Sequence, residues 1–195
     1  MARPYSMTNR LTKVQEVRRQ IVDAAMALHA ERGIRGTKPA DIAARANVAL
    51  ATYYKYFPSP GTLVQACTTR GRELLPPPDP RTITMGTQDL AGRIAAMVRT
   101  LFDYYQAREL LLYTGRTEER FIPELQPVLA GQRAARDAFV QTALAQTGTS
   151  RETAAAATAL VDFWTWRTMR RDAGLTQEEV IHAVTTTIQR VIGLQ

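Results

Sequence analysis

Residues 19–57 constrain the fold of this chain more than any other stretch, because they predict three helices separated by two short breaks. The first helix carries an apolar stripe at helical spacing, formed by Val17, Ile21, Ala24, Ala25 and Leu28. Gly33 ends this helix, since glycine readily takes the left-handed conformation that follows a last turn. Pro39 suits the first turn of a second helix, and a turn at Asn47 leads into a third helix over about 50–57.

Basic residues concentrate in the same part of the chain. Residues 1–75 contain 12 Lys and Arg against 5 Asp and Glu, and this surplus accounts for the whole formal net charge of +7. A local surplus of this kind predicts a polyanionic partner, and duplex DNA in particular. The alternative interpretation is that these cations only solvate the exposed faces of helices.

The third helix carries side chains suited to the backbone and base edges of DNA, namely Thr52, Tyr54, Lys55 and Tyr56. The succession of short helix, turn and short helix over about 38–57 is that of a helix-turn-helix unit. Core packing is the preferred interpretation for the remaining tyrosine of this helix, Tyr53. The sequence therefore predicts a DNA-binding unit in its first third.

These residues resemble the TetR family of one-component transcriptional regulators over about residues 14–75. The matching positions are Ile21, Ala24, Ala25, Leu28, Gly33, Thr37, Asp41, Ile42, Ala43, Ala46, Val48, Thr52, Tyr54, Phe57 and Leu63. The chain departs from the family pattern at Asn47, Ala49, Leu50, Ala51 and Pro60. The helix cap usual at position 49 and the basic residue common at position 50 are therefore absent.

The resemblance implies roles for individual residues at the DNA surface. Hydrogen bonds to phosphates are expected from Thr37, Tyr54 and Tyr56, with added positive charge from Lys38 and Arg45. Lys55 is the expected donor to a guanine edge. Contacts with thymine methyl groups are expected from Leu50, Ala51 and Thr52.

Helical periodicity continues after a proline-rich linker, and nothing in the sequence predicts a strand. We therefore expect an all-α chain of about nine helices. The later helices are predicted over about 88–105, 108–115, 123–148, 150–171 and from 177 onward. Ser150 and Thr176 are the expected N-caps of the last two, the second in a capping box with Glu179.

Four regions follow from this pattern. They are a mobile basic arm over 1–13, a DNA-binding domain over 14–75, a linker over 76–87 and a helical effector-binding and dimerisation domain over 88–195. The last region is assigned its two roles from the family resemblance, because its own residues show only that it is helical.

The resemblance implies an effector pocket among the C-terminal helices. Its candidate lining residues are Met97, Leu101, Phe102, Tyr105, Tyr113, Phe121, Phe139, Trp164, Trp166 and Met169. Such a pocket would take a hydrophobic or aromatic small molecule. It also implies a homodimer, with interface candidates Ala156, Leu160, Phe163, Val184 and Ile188. The alternative for both sets is that they complete the core of each subunit.

No constellation in the sequence supports an enzyme. His29 and His182 lie on distant helices and Cys67 is the single cysteine, so no metal site and no cofactor are predicted. Cys67 is expected to pack as a small apolar residue. The chain has no apolar run long enough for a membrane span and no secretory leader, which predicts a bacterial cytoplasmic protein that joins the nucleoid when bound to DNA.

The expected function is that of a ligand-responsive repressor that binds a palindromic operator as a homodimer. Two recognition helices would then enter successive major grooves, roughly 34–36 Å apart. The alternative is a DNA-binding regulator without small-molecule control, global or partner-controlled. No residue pattern reports the effector, the operator bases or the target genes.

Overall fold

The structure is a computed structural model that describes residues 7–85 and 89–194, with side chains from residue 12 onward. Within these residues the chain forms nine α-helices and three short 3-10 helices, and none of them is a strand. The all-α prediction is confirmed. The α-helices are α1 Met7–Arg32, α2 Pro39–Arg45, α3 Leu50–Tyr56, α4 Pro60–Leu74, α5 Leu90–Glu118, α6 Gln126–Ala143, α7 Arg151–Leu160, α8 Phe163–Arg171 and α9 Gln177–Val191. The 3-10 helices are Pro80–Thr84, Glu119–Phe121 and Pro123–Leu125.

The chain divides into two compact units. The N-terminal unit comprises Met1–Pro76 together with Tyr113–Val128, and the C-terminal unit comprises Pro77–Leu112 together with Leu129–Gln195. The division after Pro76 falls at the predicted linker. The addition of Tyr113–Val128 to the N-terminal unit is a tertiary feature that the sequence pattern does not predict.

Apolar side chains from four helices form the core of the N-terminal unit. α1 contributes Ile21 and Ala25, both without exposed surface, and α2 contributes Ile42 and Ala43. The two alanines are small, so the helices can pack closely where they meet. Tyr53 of α3 is buried in the same cluster, which confirms its predicted packing role and fixes which face of α3 points outward.

Two left-handed residues set the directions of α2 and α3. Gly33 has a φ of 81° after α1, and Asn47 has a φ of 53° between α2 and α3. Asn tolerates this conformation better than other non-glycine residues. The N–H of Val48 donates to the carbonyl of Ala43 at 2.9 Å and closes the second turn. Both turns are where the sequence predicts them.

The start of α1 differs from the predicted mobile arm. The helix already begins at Met7, so residues 7–13 are helical, while residues 1–6 of that arm lie outside the described residues. The segment 7–13 contains neither glycine nor proline. A polar segment of this kind can extend a helix whose later turns are held by packing. Residues 86 and 87 of the predicted linker also lie outside the described residues.

Two predicted helix boundaries in the second half of the chain are wrong. α5 runs without interruption to Glu118, because nothing between residues 105 and 108 breaks a helix. Conversely, α7 ends at Leu160 and α8 begins at Phe163, where one helix is predicted. Asp162 caps α8 by accepting the N–H of Trp164 at 2.9 Å, and the buried hydroxyl of Tyr105 donates to the carbonyl of Val161 at 3.1 Å.

The helix predicted over about 123–148 is shorter, since α6 spans Gln126–Ala143, whereas the predicted starts of α7 and α9 are confirmed. Gly148 and Gly174 take left-handed conformations, with φ of 65° and 71°. Ser150 caps α7 by accepting the N–H of Thr153 at 3.2 Å. At the start of α9, Glu179 accepts the N–H of Thr176 at 2.7 Å, which forms half of the predicted capping box.

Aromatic and aliphatic side chains fill the C-terminal unit. Phe102, Phe139, Phe163 and Trp166 are fully buried. The ring of Tyr105 meets those of Phe163 and Trp166 edge-on, with centroids 5.7 and 6.1 Å apart. None of the described helices is long and apolar enough to cross a membrane.

Candidate nucleic-acid interface

The outward face of α3 presents most of the residues predicted to contact DNA. Leu50, Ala51, Tyr54 and Lys55 are exposed, and Tyr54 has half of its surface accessible. Thr52 and Tyr56 are half-buried at the edges of this face. The burial of Tyr53 on the opposite side makes the arrangement one-sided, as a helix that enters a groove requires.

The start of α3 lacks a side-chain cap. Ala49 occupies the N-cap position and accepts no N–H through its side chain, in agreement with the departure from the family pattern. The carbonyl of Ala49 accepts the N–H of Thr52 at 2.8 Å. The first turn of α3 therefore offers DNA an apolar surface of Leu50 and Ala51, which suits thymine methyl groups better than phosphates.

Thr37 and Lys38 lie at the start of α2. Lys38 is exposed and forms no ion pair within the described part of the chain. Thr37 is half-buried, and its hydroxyl donates to the carbonyl of Gly33 at 2.7 Å. A hydrogen bond from Thr37 to a phosphate would therefore require the hydroxyl to turn away from Gly33, whereas the Lys38 ammonium is available without rearrangement.

Every acidic residue in the first 75 positions is paired with an arginine. The pairs are Glu16 with Arg19, Asp23 and Glu73 with Arg70, Glu31 with Arg45, and Asp41 with Arg32. All three lysines of the chain, Lys13, Lys38 and Lys55, remain outside ion pairs among residues 12–85 and 89–194. Arg18, Arg35 and Arg72 also form no ion pair there, so lysines and arginines share the uncompensated positive charge of the first 75 residues.

Arg45 is less available than its sequence position suggests. Its guanidinium donates to both carboxylate oxygens of Glu31, at 3.0 and 2.9 Å. This hydrogen bonding from Arg45 lowers the pKa of Glu31, so the pair stays charged at neutral pH. Both side chains are exposed, and exposed ion pairs are weak. A phosphate can therefore replace Glu31, but the predicted role of Arg45 requires that exchange.

Two other titratable residues of this unit are buried groups rather than parts of a site. Burial lowers the pKa of His29 to about 4, so its imidazole is neutral at physiological pH. Burial also raises the pKa of the Cys67 thiol to about 12, and Cys67 packs against the core cluster. No group of three or more potential metal ligands occurs among the described residues.

Three features define a helix-turn-helix DNA-binding protein. α3 buries one face and exposes the other, a left-handed turn precedes it, and lysines without ion pairs lie around it. A sequence model of the family described as "Bacterial regulatory proteins, tetR family" matches residues 21–67. Residues 21–67 therefore form a DNA-binding domain of the TetR family, as the resemblance predicts, and this is the domain of a DNA-binding transcriptional regulator. No curated protein matches the sequence.

Solved structures share the fold over nearly the whole chain. A transcriptional regulator from Rhodococcus sp. Rha1 has a TM-score of 0.69 at 20% identity, covering 90% of this chain and 95% of that one. The multidrug binding protein EbrR, complexed with imidazole, has a TM-score of 0.60 at 22% identity, covering 92% of both chains. FadR from Bacillus subtilis, in complex with stearoyl-CoA, has a TM-score of 0.61 at 16% identity, covering 90% of this chain and 98% of that one. Identities this low establish the shared fold alone.

The predicted pocket residues do not form one group in the structure. Six of them, Met97, Leu101, Phe102, Tyr105, Phe139 and Trp166, are buried in the C-terminal unit. Met169 is half-buried and Trp164 is exposed in the same unit. Tyr113 and Phe121 belong instead to the N-terminal unit, where the ring of Phe121 is exposed. A pocket role therefore remains a prediction for the eight residues in the C-terminal unit and is not supported for Tyr113 and Phe121.

The predicted dimer-interface residues also divide. Phe163, Val184 and Ile188 are buried within the chain itself, so their assignment to an interface is wrong and the core alternative applies to them. Leu160 is half-buried and Ala156 is exposed. For Phe163 the error follows from the break between α7 and α8, which changes the phase of the helical face after Leu160. Val184 and Ile188 lie on α9, whose apolar stripe faces the core of its own chain.

One contact of the N-terminal unit was missed by sequence reasoning. The Glu118 carboxylate accepts the N–H groups of Ile34, at 3.2 Å, and Arg35, at 2.7 Å. These residues are more than 80 positions apart in sequence. A local pattern contains no signal for such a pairing, because Glu118 looks like any other acidic residue near a helix end.

Proposed function

We propose that this chain represses transcription in the bacterial cytoplasm by binding a palindromic operator as a homodimer, and that a hydrophobic or aromatic small molecule releases it. The observation that carries the proposal is the exposed face of α3, with Tyr54 and Lys55 outward and Tyr53 buried. Lys55 reads a guanine edge, Lys38 neutralises a phosphate, and Leu50 and Ala51 meet thymine methyl groups.

Selection from a randomised duplex library tests the operator proposal. The wild-type chain should enrich duplexes with two inverted half-sites whose centres are about one helical turn apart, or a multiple of it. Footprinting of the selected duplex should then show two protected major grooves. Failure to enrich any sequence at moderate ionic strength would contradict the proposal.

The two lysines separate base reading from backbone contact. Lys55→Ala should cost about 1–3 kcal/mol on the selected duplex and relax the preference at one base position. Lys38→Ala should weaken binding to all sequences alike and reduce the salt slope by about one per subunit. Gel shifts at several salt concentrations, with selected and mixed-sequence duplexes, distinguish these outcomes.

A second copy of the chain is supported by an exposed face on the C-terminal unit. α7 exposes Ala155, Ala156 and Ala159, which recur at helical spacing and allow close approach of another helix. Trp164 and Val191 are large apolar residues exposed on α8 and α9. Sedimentation equilibrium should give the mass of a dimer, and a monomer at micromolar concentration would contradict this part of the proposal.

An apolar effector is supported by the composition of the C-terminal core and by one unpaired polar atom. The side-chain carbonyl oxygen of Gln132 on α6 is buried and has no hydrogen-bond partner, so it can accept a hydrogen bond from a ligand. FadR with stearoyl-CoA and EbrR with imidazole show that this fold accepts small molecules. A DNA-binding regulator without such control remains the second candidate.

Thermal denaturation with a panel of probes decides between the two candidates. The panel should contain long-chain acyl-CoA thioesters, free fatty acids and aromatic amines. An effector should raise the melting temperature and release the selected duplex in the same concentration range. Absence of both effects for every class would favour the regulator without small-molecule control.

A further inference from the structure

The loop between α1 and α2 is held by a carboxylate from a distant helix. Glu118 is the last residue of α5, and its two oxygens accept the N–H groups of Ile34 and Arg35 at 3.2 and 2.7 Å. A single carboxylate thus binds two consecutive backbone donors. Hydrogen bonds to a charged acceptor are stronger than those between neutral groups, so this contact fixes the loop backbone rather than one side chain.

Gly33 makes this approach possible. Its φ of 81° is a conformation that side chains disfavour. In addition, a Cβ atom at this position would overlap the Glu118 carboxylate. Gly33 therefore satisfies two requirements, the turn after α1 and the space that Glu118 occupies. The family pattern explains the first requirement only.

Aromatic packing adds a second hold on the same loop. The Arg35 guanidinium lies over the ring of Phe121, 4.0 Å from its centroid, and Arg120 lies 4.5 Å from the same centroid. Arginine over an aromatic face is attracted by the ring electrons. Glu118 and Phe121 are only three residues apart, so one short segment holds both the backbone and the side chain of Arg35.

Hydrogen bonds within the loop connect Ile34 and Arg35 to the start of α2. The N–H of Thr37 donates to the carbonyl of Ile34 at 3.1 Å, and its hydroxyl donates to that of Gly33 at 2.7 Å. Lys38 follows directly and caps α2, with its N–H bonded to Asp41 at 3.2 Å. Because residues 33–38 form one hydrogen-bonded turn, displacement of Ile34 and Arg35 would displace Lys38.

From this geometry we propose that Glu118 is a positioning residue for DNA binding. It holds residues 33–37 in a position from which the Lys38 ammonium and the start of α2 contact the phosphate backbone when α3 lies in the major groove. The inference rests on the proposed contact between Lys38 and phosphate. It assigns to a residue outside the helix-turn-helix unit a share of the affinity for any duplex, independent of base sequence.

The test uses the full-length chain with Glu118→Ala, Glu118→Gln and the control Glu124→Ala. Glu124 lies in the same segment and has no hydrogen bond or ion pair among the described residues. Because both substitutions replace a glutamate with alanine, they change the net charge equally. The probes are a fluorescein-labelled duplex of mixed sequence and the duplex selected by the wild type. Glu118→Ala should weaken binding to both about tenfold, whereas Glu124→Ala should not weaken it.

A double-mutant cycle separates positioning from general destabilisation. If Glu118 acts through Lys38, the variant with both Glu118→Ala and Lys38→Ala should bind about as weakly as the weaker single variant. The combination of Glu118→Ala with Lys55→Ala should instead show the product of the two single effects. The salt slope of Glu118→Ala should fall by about one per subunit.

Three results would overturn the proposal. They are wild-type affinity and salt slope in Glu118→Ala, additive effects with both lysine substitutions, and a loss of affinity in Glu124→Ala equal to that in Glu118→Ala. Circular dichroism and melting curves confirm that each variant is folded, and Glu118→Gln, which keeps one acceptor, carries the test if the alanine variant does not fold. Failure of the wild type to select a duplex would contradict the operator proposal, while the mixed-sequence duplex would still test Glu118.

Discussion

α3 in the N-terminal unit and α8 in the C-terminal unit each carry two adjacent aromatic residues, one buried and one exposed. Tyr53 and Phe163 have 4% and 0% of their surface accessible, and Tyr54 and Trp164 have 50% and 40%. In both pairs the rings meet edge-on, with centroids 5.3 and 5.5 Å apart. One residue of each pair belongs to a core and the other lies at the surface.

The two pairs differ in how far their partners can be identified. The exposed tyrosine stands beside a lysine without an ion pair, on a helix that follows a left-handed turn, so duplex DNA is its proposed partner. The exposed tryptophan meets the buried ring of Phe163 edge-on, and an exposed apolar ring fits another copy of the chain as well as a ligand. A surface that binds a charged partner can be recognised by its unpaired charged side chains. A surface that binds an apolar partner has the same residue types as a core and does not identify that partner.

The buried and exposed tyrosines of α3 give the sharpest test of this contrast. Tyr53→Ala should reduce the free energy of unfolding by about 3 kcal/mol, because it leaves a cavity in the N-terminal core. Tyr54→Ala should change it by less than about 0.5 kcal/mol and weaken duplex binding instead. Urea denaturation and gel shifts measure the two effects, and equal destabilisation by both substitutions would contradict the assigned faces.

The pair on α8 extends the test to the C-terminal unit. Trp164→Glu should convert the dimer to monomers and lower affinity for the selected duplex about 100-fold, since a single half-site is then bound. Phe163→Leu should keep the dimer and cost about 1 kcal/mol of stability. A dimeric Trp164→Glu variant with intact affinity would remove α8 from the interface and favour a ligand as its partner.

The buried His29 makes the free energy of unfolding of the N-terminal unit depend on pH. Its pKa is about 4 in the folded chain and about 6.5 when unfolded, so the unfolded state binds more protons between these values. Stability should therefore fall as pH decreases from about 6.5, by roughly 2 kcal/mol at pH 5. Urea denaturation of the wild type and His29→Leu across this range measures the difference, and parallel pH profiles would show that His29 is not the cause.

The smallest expected effect concerns the ion pair between Glu31 and Arg45. Glu31→Gln should release the Arg45 guanidinium and tighten binding to a mixed-sequence duplex about two- to threefold at low salt. The gain should disappear in Arg45→Ala. A gain that persists without Arg45 would indicate that Glu31 acts only through the overall charge of the unit.

Sequence pattern was sufficient for the N-terminal elements because their signals are local. Gly33 and Asn47 mark the two turns, Pro39 marks the start of α2, and the spacing from Ile21 to Leu28 marks the buried face of α1. Each signal lies within one or two turns of the feature it predicts. α3 is short and bounded by a turn, so its phase, and with it the burial of Tyr53, followed directly.

Such signals were insufficient for α7 and α8. Without the break at Val161 and Asp162, the predicted helix keeps one phase from Arg151 to Arg171 and places Phe163 on the wrong face. The break coincides with the hydrogen bond from Tyr105, which is 56 positions away. The helix count was nevertheless correct, because the missing break here balances the extra break predicted within α5.

The sequence by itself determined that this chain is all-α, that its first 75 residues carry the positive charge and that these residues form a DNA-binding unit. Only the tertiary structure decided which cations remain outside ion pairs, which aromatic residues of the C-terminal unit are core, and that Glu118 binds the loop before α2. The reason is physical: periodicity and turn chemistry act over a few neighbouring residues, whereas ion pairs, helix breaks and loop contacts join residues that only folding brings together.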